Sequence, residues 1–304
     1  FLDDVIDSNK YVSAVPLLQE AAWKNRRIGV SIMGLADMFY KLGITYGSEK
    51  GEDVAGQIME FIRFHTMKAS IDLAKIRGPF PGIVESIFDK RNFQFKINKP
   101  LVKPSAQLKR PELDWKQLIK DIKKHGIRNA AQNTIAPTGA IATISGLEGY
   151  GCEPVFSLSY IMRTHEGVEN IAEKNDDNAF KTLYYESKLF KQALKRAGFS
   201  KKQIEETGTC QTNTQIPKEL RDVFVVSSDL NAIQHVRMQA SLQRFIDNSI
   251  SKTINFPNTA TVEDVEKAYL EAWKLGCKGI TVYVTGSRQQ VVLEAGQQED
   301  TKNE

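Results

Sequence analysis

Cysteine is scarce in this sequence. The three present, Cys152, Cys210 and Cys277, are too few and too scattered for a disulfide framework. None belongs to a Cys-x-x-Cys pair, so no zinc ribbon is expected. This usage fits a reducing compartment, and a cytoplasmic location is expected. Histidine is scarce as well. His65, His125, His165 and His235 fall in four segments without ligand spacing, so no metal site is expected. No run of about 18 apolar residues exists, which excludes a hydrophobic spanning helix and any membrane partner. There is no internal repeat and no low-complexity block. The opening Phe1-Leu2-Asp3-Asp4 reads neither as a signal peptide nor as an initiator start, and is expected to lie inside a longer sequence.

What remains is globular. Over 304 residues, 41% are hydrophobic and 26% charged, which excludes disordered, collagen-like and coiled-coil chains. The length suffices for one large domain or two ordinary ones with a sizeable core. Net charge is only +4, but Lys90 to Arg128 holds twelve Lys/Arg against Glu112, Asp114 and Asp121. Lys116, Lys120, Lys123 and Lys124 fall on a helix-like run, so a solvated helical face explains much of this stretch. A basic rim beside an anionic small-molecule site is the functional alternative. A nucleic-acid partner would need affinity that persists at moderate salt, and is not favoured.

Apolar spacing predicts helices over 16–27, 29–42 (stripe Ile32, Leu35, Ala36, Phe39; cap Gly43) and 48–77. In the last, Ile58, Phe61, Ile62, His65, Ala69, Ile71 and Leu73 are the expected buried side, with Ser48 as cap and Gly78-Pro79 as stop. Residues 79–111 read as loops. Asp114 to His125 is helical, and Asn129 to Ile135 is a short strand. Helices are also expected over 177–198 and 229–247, the latter capped by Ser227, Ser228 or Asp229. Ser251 to Phe256 is a strand. Thr261 opens a helix with Asp264 at the third position, a capping-box pattern. Lys278 to Val284 is a buried-type strand. Ser251 to Val284 thus has the size of a strand–helix–strand unit with a parallel pair.

The most informative segment is Asn129 to Pro154, NAAQNTIAPTGAIATISGLEGYGCEP. A strand ends at Ile135, and the small residues that follow let a ligand approach the backbone. If Thr138 to Ile144 begins a helix, its first amides are unpaired and converge, as an anion site requires. Pro137 and Gly139 would set the turn, and the Thr138 hydroxyl could cap or donate. A purely structural turn is the alternative. The Gly-Lys-Ser/Thr ending of a Walker loop is missing, and so is a dinucleotide fingerprint.

Four blocks, in order, resemble the C-terminal half of the large catalytic chain of ribonucleotide reductases. They are Asn25-Arg26-Arg27-Ile28-Gly29-Val30 with Met33-Gly34-Leu35-Ala36-Asp37; Asn133-Thr134-Ile135-Ala136-Pro137-Thr138-Gly139-Ala140-Ile141; Gly151-Cys152-Glu153-Pro154; and Gly279-Ile280-Thr281-Val282-Tyr283 with Gly286-Ser287-Arg288. The likeness runs from Phe1 to Leu293. It is strongest to the adenosylcobalamin (vitamin B12)-dependent branch, because the radical-relay branch carries two adjacent tyrosines on the last strand and this chain has Tyr283-Val284.

The resemblance implies an α/β fold: the C-terminal part of a ten-stranded α/β barrel of two half-barrels, incomplete in this chain, rich in helices, spanning 1–293, with 294–304 a disordered polar tail. It implies reduction of ribonucleoside di- or triphosphates to 2′-deoxyribonucleotides by a cysteine thiyl radical, with adenosylcobalamin as cofactor. The implied substrate-phosphate site is Ala136, Pro137, Thr138, Gly139, Ala140 and Ile141.

The family's radical cysteine lies in Asn-x-Cys-x-Glu, and no such string exists here. All three cysteines therefore read as ordinary small residues, and no catalytic residue is assigned to this chain. A half-barrel has open edge strands and, on this reading, an exposed apolar interior face. A split enzyme is the expectation, in which a second polypeptide carrying Asn-x-Cys-x-Glu supplies the N-terminal half-barrel. A non-catalytic nucleotide-binding or regulatory partner of a full-length reductase is the alternative. Asp37 as a holder of a partner loop, Glu153 in substrate geometry, Arg163 at the cofactor face, and Ser287 and Arg288 at the site end remain open assignments.

Overall fold

Four short extended segments lie side by side and run the same way. The computed structural model describes residues 1–165, 180–199, 208–287 and 293–295. Val30 pairs in parallel with Asn133, and Ile135 with Ile250. Beyond Ile250 the same segment becomes β3 (Thr253–Phe256), which pairs in parallel with β4 (Thr281–Val284) in the register Thr253↔Thr281 to Phe256↔Val284. The spatial order is therefore 28–30, 131–135, 250–256, 281–284. Between β3 and β4 runs α10 (Val262–Lys274), started by the expected Thr261–Asp264 capping box. Among the described residues the array does not close, and no complete barrel forms.

Alternation along the strands decides which face meets the core. Ile250, Lys252, Ile254 and Phe256 are buried, whereas Ser251 is exposed and Thr253 and Asn255 are partly exposed. The buried face packs against α9 (Ala232–Gln243), α4 (Glu49–Arg77) and α10. The opposite face carries Thr134, Ser251, Thr253, Asn255, Thr281 and Tyr283. This corrects the expectation of an exposed apolar interior. The open face presents hydroxyl, amide and phenol groups, which tolerate water without a partner.

The other helices are α1 (Leu2–Ser8), α2 (Pro16–Asn25), α3 (Leu35–Leu42), α5 (Trp115–His125), α6 (Gly139–Ile144), α7 (Lys188–Arg196) and α8 (Lys218–Val223). None among the described residues is long and apolar enough to cross a membrane. A separate antiparallel sheet has β1 (Ser159–His165) between β2 (Phe180–Glu186) and β5 (Leu293–Ala295).

Several sequence expectations are corrected. The helix expected over 29–42 begins only at Leu35, because the residues before it are drawn into the strand array and Gly34 turns the chain with φ 75. Within 177–198, Phe180 to Glu186 forms β2; its Phe, Thr, Leu and two Tyr suit a strand, and Ser187 then caps α7 by accepting from Phe190 N. Residues 177–179 lie outside the described residues. Helix α9 is capped by Asn231 in a box with Gln234, not by Ser227, Ser228 or Asp229, which form a single 3-10 turn. The buried line of α4 is Met59, Arg63, Met67, Ser70, Ile71 and Ala74, so of the seven expected residues only Ile71 is fully buried. The line was missed because it carries polar side chains with partners inside: Arg63 pairs with Asp247, and Ser70 bonds Asn129. Strand β5 includes Glu294 and Ala295 from the expected tail, whose remainder lies outside the described residues.

Candidate functional site: the turn after Ile135

The expected strand Asn129 to Ile135 is an extended segment held by single bridges at Asn133 and Ile135; it ends at buried Ile135, and the backbone turns into α6. Ala136 N donates to Ser31 Oγ at 3.1 Å, which ties the start of the turn to the neighbouring extended segment. Thr138 then adopts φ 55, ψ 15, a left-handed conformation that costs a β-branched residue about 1–2 kcal/mol. Its hydroxyl does not cap α6. It accepts from Gly151 N at 2.7 Å instead. Gly139 is the first residue of α6, and the left-handed position of the turn is Thr138.

Among the described residues, the amides of Gly139, Ala140 and Ile141 have no acceptor; the first return bond of α6 is Ala142 N to Thr138 O at 2.8 Å. Ala136, Pro137, Ala140 and Ile141 are exposed, and Thr138 and Gly139 are partly so. A Cβ added to Gly139 meets nothing within 4 Å. The six residues expected to hold phosphate are therefore together in one open turn with three free amide donors, at the C-terminal end of an extended segment bridged in parallel to its neighbours.

Beneath the turn lies 148–155. Asp37, in the first turn of α3, accepts from Glu148 N at 2.8 Å and Gly149 N at 2.7 Å. It thus holds a loop of its own chain, not of a partner. Glu148 caps α7 in turn, accepting from Ser187 Oγ and Leu189 N. Burial raises the Glu148 carboxyl above its ordinary range despite these bonds. Gly151 has φ 51, and a Cβ there would stand 2.8 Å from Ala136 O. Gly151→Ala is accordingly expected to cost about 2 kcal/mol in urea unfolding, from the left-handed backbone and the clash together.

Glu153 does not face the turn. Its Oε1 accepts from Thr253 N at 2.6 Å and its Oε2 from Lys252 Nζ at 2.7 Å. Sequence reasoning missed Lys252 and His235 as site neighbours, although a lysine at a buried strand position was the available signal. Cys152 and Cys210 are buried in the core, where burial pushes both thiols up to about 12; burial moves Cys277 to about 11. All three thus stay protonated at neutral pH. Among the described residues no cluster of His, Cys, Asp and Glu could hold a metal. Arg163 lies on β1, Ser287 is exposed just beyond β4, and Arg288 lies outside the described residues.

Residues 1–283 match the family model described as ribonucleotide reductase, barrel domain. The chain is 34% identical over 304 residues to a vitamin B12-dependent ribonucleoside-diphosphate reductase of Thermoplasma acidophilum, covering all of this chain and 34% of the relative. A protein of the same name from Mycobacterium tuberculosis is 34% identical over 298 residues, covering 97% of this chain and 36% of the relative. The ribonucleoside-diphosphate reductase large chain of Encephalitozoon cuniculi is 29% identical over 253 residues, 83% of this chain and 30% of that one. The chain spans about a third of the length of these curated relatives. With the family model matched over nearly its whole length, the chain belongs to the ribonucleotide reductase barrel-domain family.

Proposed function

We propose that this chain binds the phosphates of a ribonucleoside di- or triphosphate within a reductase that forms 2′-deoxyribonucleotides. The observation that carries the reading is the run of three acceptor-free amides, Gly139, Ala140 and Ile141, in an exposed turn after an extended segment bridged in parallel to its neighbours. The small side chains at Gly139 and Ala140 admit phosphate oxygens to the backbone. The Thr138 hydroxyl, taken up by Gly151 N, holds the turn and leaves the binding to amides. From the turn, the polar strand face offers Thr134, Ser251, Thr253, Asn255 and Tyr283 to the rest of a nucleotide.

The cysteines support a division of labour. Cys152 and Cys210 are sealed in the core, out of reach of a substrate, so the radical cysteine and the reducing pair are assigned to the N-terminal half-barrel carrying Asn-x-Cys-x-Glu, which these residues do not include. The same face of hydroxyl and amide groups would hold a cofactor rimmed with carboxamides, such as adenosylcobalamin, by hydrogen bonding. When bound, that cofactor supplies homolytic cobalt–carbon cleavage, the radical source for the cysteine. A non-catalytic chain that binds nucleotide and regulates a full-length reductase is the second reading, favoured by the same buried thiols. Deoxynucleotide formation on mixing with a chain bearing Asn-x-Cys-x-Glu separates the two.

Gly139→Asp tests the phosphate reading. Open space at Gly139 accepts the side chain, and an acid in the first helical turn does not harm folding. The carboxylate competes for the amides and repels phosphate. Affinity of the chain for a ribonucleoside diphosphate is expected to fall by about tenfold or more, with the unfolding midpoint unchanged. Unaltered affinity would discard the assignment.

A further inference from the structure

Lys252 is 1% exposed, on the core face of the strand leading into β3. Its ammonium group has three hydrogens and meets three acceptors: Glu153 Oε2 at 2.7 Å, His235 Nδ1 at 2.9 Å and Thr253 O at 3.1 Å. His235 must be neutral to accept, and its Nε2 lies 3.3 Å from Ser227 O as the donor there. Tyr46 closes the cluster. Its ring centroid is 5.9 Å from Nζ, and its hydroxyl donates to Cys152 O at 2.6 Å.

These bonds fasten the segment below the phosphate turn at successive residues. Leu35 N donates to Gly151 O, Tyr46 to Cys152 O, Lys252 and Thr253 N to Glu153, and Ser227 N to Val155 O. On the turn side, Gly151 N donates to Thr138 Oγ1. A buried ion pair is a poor source of stability, since apolar replacements of similar volume are often neutral or better. A fully satisfied pair in this place specifies geometry instead.

We propose that Lys252 and Glu153 are positioning residues for the phosphate turn: they fix Gly151, which holds Thr138 in its left-handed conformation and keeps the amides of Gly139, Ala140 and Ile141 turned outward. The inference rests on the phosphate-binding reading above and adds what maintains that site.

The test is the double variant Lys252→Met with Glu153→Gln in the whole 304-residue chain, which removes both charges at nearly constant volume. The readouts are inorganic pyrophosphate affinity and the Cα and Cβ chemical shifts of Thr138, which report its backbone conformation. The expected result is a rise in Kd of about tenfold together with Thr138 leaving the left-handed region. A purely structural pair would alter the unfolding midpoint and move neither readout, which would overturn the proposal. If the double variant does not fold, Glu153→Asp keeps the charge and withdraws the carboxylate by one methylene. It is expected to shift Thr138 in the same direction and weaken pyrophosphate by about threefold, and no change in either refutes the proposal. Should the unaltered chain bind no pyrophosphate, the phosphate reading falls, while the Thr138 shifts still decide the positioning claim.

Discussion

Asp3→Ala is expected to lower the unfolding free energy by about 3–5 kcal/mol, measured by urea denaturation. Asp3 is 2% exposed and accepts from four side chains: Arg26 Nε at 2.8 Å, Asn129 Nδ2 at 3.0 Å, Arg128 Nε at 3.1 Å and Arg77 at 3.3 Å. Burial works against its charge, but the hydrogen bonds from Arg26 and Arg128 outweigh it and hold the carboxyl down at about 2. Removal of the anion leaves three guanidinium groups around an emptied site, with mutual repulsion and unmet donors. Asp7 provides the contrast. It also bonds Arg26, at 2.8 Å, but its side chain is 51% exposed, so Asp7→Ala is expected to cost under about 1 kcal/mol. Comparable losses in the two variants would show that burial does not set the worth of the Arg26 contacts.

This network also shows what can be read in a sequence of this kind. Asn25-Arg26-Arg27 resembles a reductase motif, but nothing in it says that Arg26 turns back to grip α1. Asp3 and Asp7, 23 and 19 residues away, settle that. Local signals fared better. The Thr261–Asp264 box and the glycine after α3 follow from turn chemistry within a few residues, and the parallel pairing of β3 with β4 from the length of the strand–helix–strand unit. Phe180 to Glu186 failed because its apolar residues fit a helical stripe as well as a strand, and pairing with β1 decided the outcome. For the candidate site, strand, turn and helix order around Pro137 were legible. The left-handed backbone at Thr138 was not, since it depends on Gly151, thirteen residues on. Glu153 stood out in the sequence for its closeness to the turn, whereas its partners Lys252 and Thr253 lie 99 and 100 residues away, and the one local sign of the cluster is a lysine at a buried strand position.

His235 should make the fold acid-sensitive in a window of its own. Burial, with the Lys252 ammonium beside it, depresses its pKa to about 3 from an ordinary 6.5. Between these values the unfolded chain binds the proton and the folded chain does not, so stability falls as pH falls, by about 1.4 kcal/mol per unit. From pH 6.5 to 4.5 this amounts to about 2 kcal/mol, since the slope is only half developed at 6.5. Asp3 acts lower, because its contribution is complete above 3.8 and is lost as pH falls through about 2. Glu148 and Asp229, raised chiefly by burial, act with the opposite sign and regain stability on protonation. A difference measurement cancels all three. His235→Gln places an acceptor toward Lys252 and a donor toward Ser227 without a titrating group. Urea unfolding of both chains at pH 7 and pH 4.5 is expected to show the unaltered chain losing about 2.5 kcal/mol more than the variant. Equal losses would mean that His235 is charged in the folded chain, and then Nδ1 could not accept from Lys252 at 2.9 Å.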